Sequence, residues 1–123
     1  KSRIMAQAGV LWISNTAKTS RAGFYLNSHA RLLINGLVDF SFGRFGLSTG
    51  FIYKERAGQR TSAINASLSP SYFLLNARMQ FLVGTRGSAV YLQADNLSNR
   101  KYSDLLGVPM PGRWLSMGIR MGR

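Results

Sequence analysis

The chain has 123 residues, with 16 Lys and Arg against 4 Asp and Glu, a formal net charge of +12 and no cysteine. That length allows one domain or part of one, and the lack of cysteine excludes a disulfide scaffold or a cysteine-ligated zinc finger. Charged residues make up only 16% of the chain, below the usual quarter or so, yet no run approaches the roughly 18 consecutive apolar residues of a membrane helix.

From Arg3 to Ile13, positions Ile4, Ala6, Ala8, Val10 and Trp12 alternate onto one face, which predicts a strand, although Leu11 and Ile13 blur the other face. A long polar connection follows, from Ser14 through Ser28, carrying Lys18 and Arg21. The second strand is predicted from about His29 to Phe42. Leu32, Ile34, Gly36, Val38, Phe40 and Phe42 fall on one side, and Arg31, Asn35, Asp39 and Ser41 on the other. Gly43-Arg44 then predicts a tight hairpin. In the third strand Phe45, Leu47, Thr49, Phe51 and Tyr53 oppose Gly46, Ser48, Gly50, Lys54 and Arg56.

After a polar stretch from Ala57 to Pro70, the fourth strand sets Phe73, Leu75, Ala77, Met79, Phe81 and Val83 against Asn76, Arg78 and Gln80. A short turn, Gly84-Thr85-Arg86-Gly87, leads to a fifth strand with Val90, Leu92 and Ala94 on one side and Tyr91, Gln93 and Asp95 on the other. The last strand opposes Leu115, Met117, Ile119 and Met121 to Ser116, Gly118 and Arg120. The predicted fold is all-β, an antiparallel up-and-down arrangement of about six strands.

Two regularities run through this reading. The connections alternate long, short, long, short, long, as they do in outer-membrane barrels, whose periplasmic turns are short and extracellular loops long. The charges keep to one parity: Arg31, Asp39, Lys54, Arg56, Arg78, Asp95 and Arg120 share the polar side, and Glu55 is the exception, at a strand end. A soluble sandwich has the same alternation. Three features favour the membrane barrel. Several strands reach the roughly 9–11 residues of a tilted transmembrane strand. Aromatic residues gather near the strand ends, with Phe40, Phe42, Phe45 and Phe81 at one and Tyr53, Tyr72, Phe73 and Trp114 at the other, as interfacial girdles do. The polar side is rich in Gly, Ser, Asn and Gln, which suits a wet lumen.

The connection before the last strand carries a motif. Asp95-Asn96-Leu97-Ser98-Asn99-Arg100-Lys101-Tyr102-Ser103-Asp104 gives D-N-L-x-N-x-x-Y-x-D, and Pro109-Met110-Pro111-Gly112-Arg113-Trp114 gives P-M-P-G-R-W. Together with an alternating final strand, this resembles the C-terminal end of TonB-dependent outer-membrane receptors. The close likeness covers roughly the last quarter of the chain, and a looser one reaches Ser71 to Arg78 and Tyr53 to Arg56. The terminus, Arg120-Met121-Gly122-Arg123, departs from the aromatic ending common in such barrels.

The resemblance implies that residues 1–123 are the C-terminal part of a 22-stranded receptor barrel in the outer membrane of a Gram-negative bacterium. It implies high-affinity uptake of an iron chelate, haem or cobalamin, with no catalytic role and no cofactor. The partners it implies are outer-membrane lipid and lipopolysaccharide, the small-molecule solute, and the TonB complex acting through an N-terminal plug that these residues do not contain. It assigns a structural role in the loop and last strand to Asp95, Asn96, Leu97, Tyr102, Pro109, Pro111, Gly112, Arg113 and Trp114.

Asp95 and Asn96 are expected to start the loop by bonding nearby backbone groups. Tyr102 and Trp114 are expected to anchor the outer rim, and Arg113 and Arg120 to join hydrogen-bond networks with Asp39 or Asp95. Arg56, Arg60, Arg100 and Lys101 lie at or above the outer rim, where they are candidates to meet an anionic solute or lipopolysaccharide.

Other chemistry is poorly supported. The basic residues are scattered singly or in pairs such as Arg100-Lys101, without a recognition helix or an aromatic RNA-binding motif, so nucleic-acid binding is not expected. His29 is the only histidine, and the four carboxylates Asp39, Glu55, Asp95 and Asp104 show no pairing in the sequence. The alternatives are a soluble basic β-protein that binds acidic partners, and a passive or oligomeric outer-membrane pore.

Overall fold

A computed structural model describes residues 2–14, 30–56, 60–61, 66–67, 69–84, 87–105 and 108–122. Lys18, Arg21 and His29 lie outside the described residues, as does the side chain of Arg60. The strands are β1 (Ser2–Trp12), β2 (Leu32–Phe42), β3 (Phe45–Glu55), β4 (Arg60–Thr61), β5 (Ala66–Ser67), β6 (Ser71–Val83), β7 (Ser88–Asp95), β8 (Ser103–Leu105), β9 (Val108–Pro109) and β10 (Trp114–Arg120). The six long ones form a single antiparallel sheet in the order β1-β2-β3-β6-β7-β10, each beside its predecessor among the long strands. No described residue is helical. Two small hairpins, β4 with β5 and β8 with β9, sit inside the second and third long connections.

The short turns fit their residues. Gly43 has φ +57° while Arg44 stays at negative φ, the signature of a type II′ hairpin with glycine first, whose twist matches that of the paired strands. Gly84 and Gly87 also take positive φ at the other tight turn, where a side chain would be strained.

Register carries the parity of the sequence across the whole sheet. Val10 faces Ile34, Ile34 faces Tyr53, and Tyr53 faces Phe73. Farther along, Leu47 faces Met79, Met79 faces Leu92, and Leu92 faces Met117. Phe42, Phe45 and Phe81 form one row at the tight-turn end, and Phe51 stacks on Phe73 with ring centroids 6.0 Å apart.

This apolar face is largely open. Ile4 is 69% exposed, Val10 70%, Ile119 75% and Met117 83%. Only Tyr72 and Ala89 are buried among the described hydrophobic residues, and both lie on the other face by register. On that polar side, Asp39, Ser48, Arg78, Gln93 and Asp95 are half-buried. The polar side also carries Leu33, Leu37, Ile52, Leu74 and Leu82.

Most polar-side groups find partners close at hand. The Ser48 hydroxyl donates to Asp39. Gln93 Nε2 donates to Asp95 Oδ2 at 3.0 Å, and the Arg78 guanidinium lies 4.2 Å from the Tyr91 ring centroid. These pairs correct the expectation for Arg113 and Arg120. Asp39 and Asp95 are satisfied by cross-strand or same-strand neighbours, and both arginines remain exposed. Trp114, expected at the outer rim, opens β10 opposite Asp95, on the polar side by register.

Tyr91 lies over its cross-strand partner Gly118 so closely that a Cβ there would meet the phenol. Gly118→Val should therefore expel the ring and its contact with Arg78. Overpacking of this kind costs about 1–3 kcal/mol, to be read as a lowered urea midpoint, and an unchanged midpoint would show that the ring has room to move.

Candidate functional site

The connection from Asn96 to Arg113 is fastened at two places. The first is its base. Asn96 has φ +49°, a left-handed conformation that asparagine tolerates better than most residues. Its side chain is 5% exposed as a residue and holds three backbone groups. Asn96 Nδ2 donates to Arg100 O at 2.8 Å and to Pro111 O at 3.3 Å, while Asn96 Oδ1 accepts from Arg100 N at 2.8 Å. Two further bonds tie this turn to β6, from Asn96 N to Asn76 Oδ1 at 2.9 Å and from Leu97 N to Leu75 O at 2.7 Å. Asn99, also at positive φ, accepts from Arg113 N at 2.9 Å where the chain re-enters the sheet. The backbone-bonding role expected of Asn96 is thus present, while Asp95 bonds a side chain instead.

The second fastening is electrostatic. Lys54 on β3 and Tyr72 on β6 are direct cross-strand partners, and Arg56 follows just beyond the end of β3. All three converge on Asp104 in β8. Lys54 Nζ lies 2.8 Å from Asp104 Oδ1 and the Tyr72 hydroxyl donates to the same oxygen at 2.9 Å. Arg56 Nη2 also donates to Oδ1, and Arg56 Nη1 reaches the Asp104 carbonyl at 3.1 Å. The Tyr102 ring packs on Tyr72 with centroids 4.4 Å apart. Ser103 N donates to Ser69 Oγ at 2.9 Å, and Met110 N to Tyr102 O at 2.9 Å.

Burial alone would raise the Asp104 carboxyl, but hydrogen bonds from Lys54, Arg56 and Tyr72 outweigh it and hold the group at about 2. Burial, and then the Asp104 charge, push the Tyr102 phenol up. A carboxylate held this way is a poor proton acceptor near neutral pH, and its evident work is to fasten the loop.

The arrangement corrects one candidate. Arg56 is not displayed at a rim: it is 3% exposed, with its guanidinium committed to Asp104. Arg100 and Lys101 are exposed on the loop. Pro109, Pro111, Gly112 and Arg113 form the return path to β10. Nothing in the sequence marks Asp104, Lys54 and Tyr72 as a group. The D-N-L-x-N-x-x-Y-x-D motif ends on Asp104, but only the fold brings the two donor strands to it.

The polar side also forms an open groove of about 420 Å³ near its middle, lined in part by Gln7, Asn35, Leu37, Ile52 and Asn76. Among the described residues, no three His, Cys, Asp or Glu side chains come together to hold a metal ion. Comparison of the chain with protein-family models, curated proteins and solved structures finds no match.

The Asp104 latch sets a pH dependence. Its folded value of about 2 lies below the ordinary 3.8, so its contribution is complete above about pH 4 and is lost as pH falls through about 2. The near-ultraviolet circular dichroism of the Tyr72–Tyr102 pair should hold steady from neutral pH to about 4 and then decline. Asp104→Asn should show the reduced signal already at pH 7. A wild-type signal lost above pH 5 would contradict this assignment.

Proposed function

We propose that this chain is the C-terminal part of the barrel of a TonB-dependent outer-membrane receptor. In this reading it supplies wall, lumen lining and outward loops for the uptake of a scarce solute such as an iron chelate, haem or cobalamin. One observation carries the reading. Six adjoining strands place all their Phe side chains, with exposed Ile4, Val10, Leu92, Met117 and Ile119, on a single open face, while ion-paired and hydrogen-bonded groups sit sheltered on the other among several leucines and Ile52. In water that arrangement is unfavourable, because fully burying one such side chain is worth about 1.5–3 kcal/mol. Against hydrocarbon it is the favourable one.

Strand length supports the same reading. β1, β2 and β3 each have 11 residues and β6 has 13. At about 3.3 Å per residue and a tilt of about 40°, eleven residues span roughly 25–28 Å, close to the apolar band of an outer-membrane barrel. The loop motif supports the receptor family in particular. Outer-membrane lipid, lipopolysaccharide and the solute are then the partners of this segment, with the TonB complex acting through a plug domain elsewhere.

The free edges favour one other reading. Among the described residues β1 and β10 each have a single neighbour, so each offers unpaired backbone groups to a further strand. In the receptor those strands belong to the same polypeptide; in an oligomeric pore they belong to copies of this one.

The test is folding in the two solvents. The chain should acquire its strands in detergent micelles or lipid vesicles and aggregate in plain buffer. Within vesicles, Met117→Lys should destabilise the fold by about 2–4 kcal/mol, the cost of a lysine facing the bilayer midplane, whereas Ser116→Lys should cost far less. A monomer with full strand content in plain buffer, indifferent to Met117→Lys, would sink the proposal. A discrete ring of copies in vesicles would favour the pore.

A further inference from the structure

The positive charges around Asp104 outnumber its own negative charge. An ammonium and a guanidinium face a single negative charge, and three donors converge on Oδ1. The nearest carboxylate in sequence, Glu55, has the opposite parity and accepts from Tyr53 at 3.2 Å. Arg56 Nε is buried with no hydrogen-bond partner among the described residues.

The donors belong to the sheet side and the carboxylate to the loop. Lys54 and Tyr72 are fixed by the pairing of β3 with β6, and Arg56 N is held by Pro70 O at 2.8 Å. Removing Asp104 therefore leaves the donor array in place, with two positive charges and a phenol. The Asp104 side chain retains 31% of its exposure, so the position is open to solvent.

We propose that Lys54, Arg56 and Tyr72 form a binding site for a small dicarboxylate, which Asp104 occupies from within the chain and from which such a ligand displaces it. One ligand carboxylate takes the place of Asp104 while the second offsets the remaining positive charge. Loss of Asp104 from the site frees the β8 end of the loop, while the Asn96 cluster keeps its base attached. The site is thus coupled to loop release. The donor geometry is the same whichever solvent covers the apolar face.

Calorimetric titration of the full chain with sodium succinate tests it, under whichever condition keeps the chain folded and with sodium chloride at matched ionic strength as reference. A tethered carboxylate competes at an effective concentration of order millimolar. Asp104→Ala should therefore bind succinate about tenfold or more tightly than wild type, and Asp104→Asn, which keeps the side-chain shape, should also bind more tightly. Adding Lys54→Met to Asp104→Ala should abolish that gain. In wild type, saturating succinate should speed hydrogen exchange at the Ser103 amide while leaving Arg100 protected. Equal affinity in wild type and both Asp104 variants would overturn the proposal, as would binding unaffected by Lys54→Met.

Discussion

Parity of the backbone is the constraint on which everything else in this protein depends. Successive side chains on a strand point to opposite faces, so a register slip of one residue would exchange the two faces of that strand. None of the five pairings in the large sheet contains such a slip. Among the described residues, the only irregularity is in the small β8–β9 hairpin. One consistent register therefore gathers all six phenylalanines of the sheet, with Leu47, Met79, Leu92 and Met117, on one side. No opposing layer among the described residues covers them, so the energetics of the fold turn on what does.

The loop before the last strand answers a different demand. A long connection between neighbouring strands has backbone groups to satisfy and conformational entropy to overcome. Asn96 meets the first demand at the base, with one side chain serving both the outgoing and the returning segment. Asp104 meets the second at the β8 end, where cations and a phenol from the sheet side hold it. The two anchors differ in kind. Neutral hydrogen bonds at the base do not depend on carboxylate ionisation, whereas the ion pairs at the β8 end respond to protonation and to competing anions. The loop is thus hinged where it leaves the sheet and latched farther out.

The strands were legible in the sequence because alternation is local. The observed ends of all six long strands lie within about three residues of those that periodicity suggests, the usual range for such readings, and the two tight turns announce themselves through glycine. The hairpins β4–β5 and β8–β9 were not legible, since strands of two or three residues have no period to detect. The Asp104 cluster was hidden for another reason: Lys54 and Arg56 lie 50 and 48 residues away in the chain, and only a particular loop conformation unites them. Reading Arg113 and Arg120 as partners for Asp39 and Asp95 failed on proximity, because Ser48 and Gln93 are nearer neighbours in the sheet. Asn96 was legible in part, because two of its three side-chain bonds reach Arg100, only four residues on.

The central claim is the orientation of the two faces, and the chain's lack of cysteine makes it directly measurable. Single cysteines introduced along β10 at Leu115, Ser116, Met117, Ile119 and Arg120 can carry nitroxide labels in lipid vesicles. Labels at Leu115, Met117 and Ile119 should relax with oxygen dissolved in the bilayer, and those at Ser116 and Arg120 with a water-soluble nickel chelate. Relaxation by the nickel chelate at all five positions, or the reverse alternation, would contradict the account.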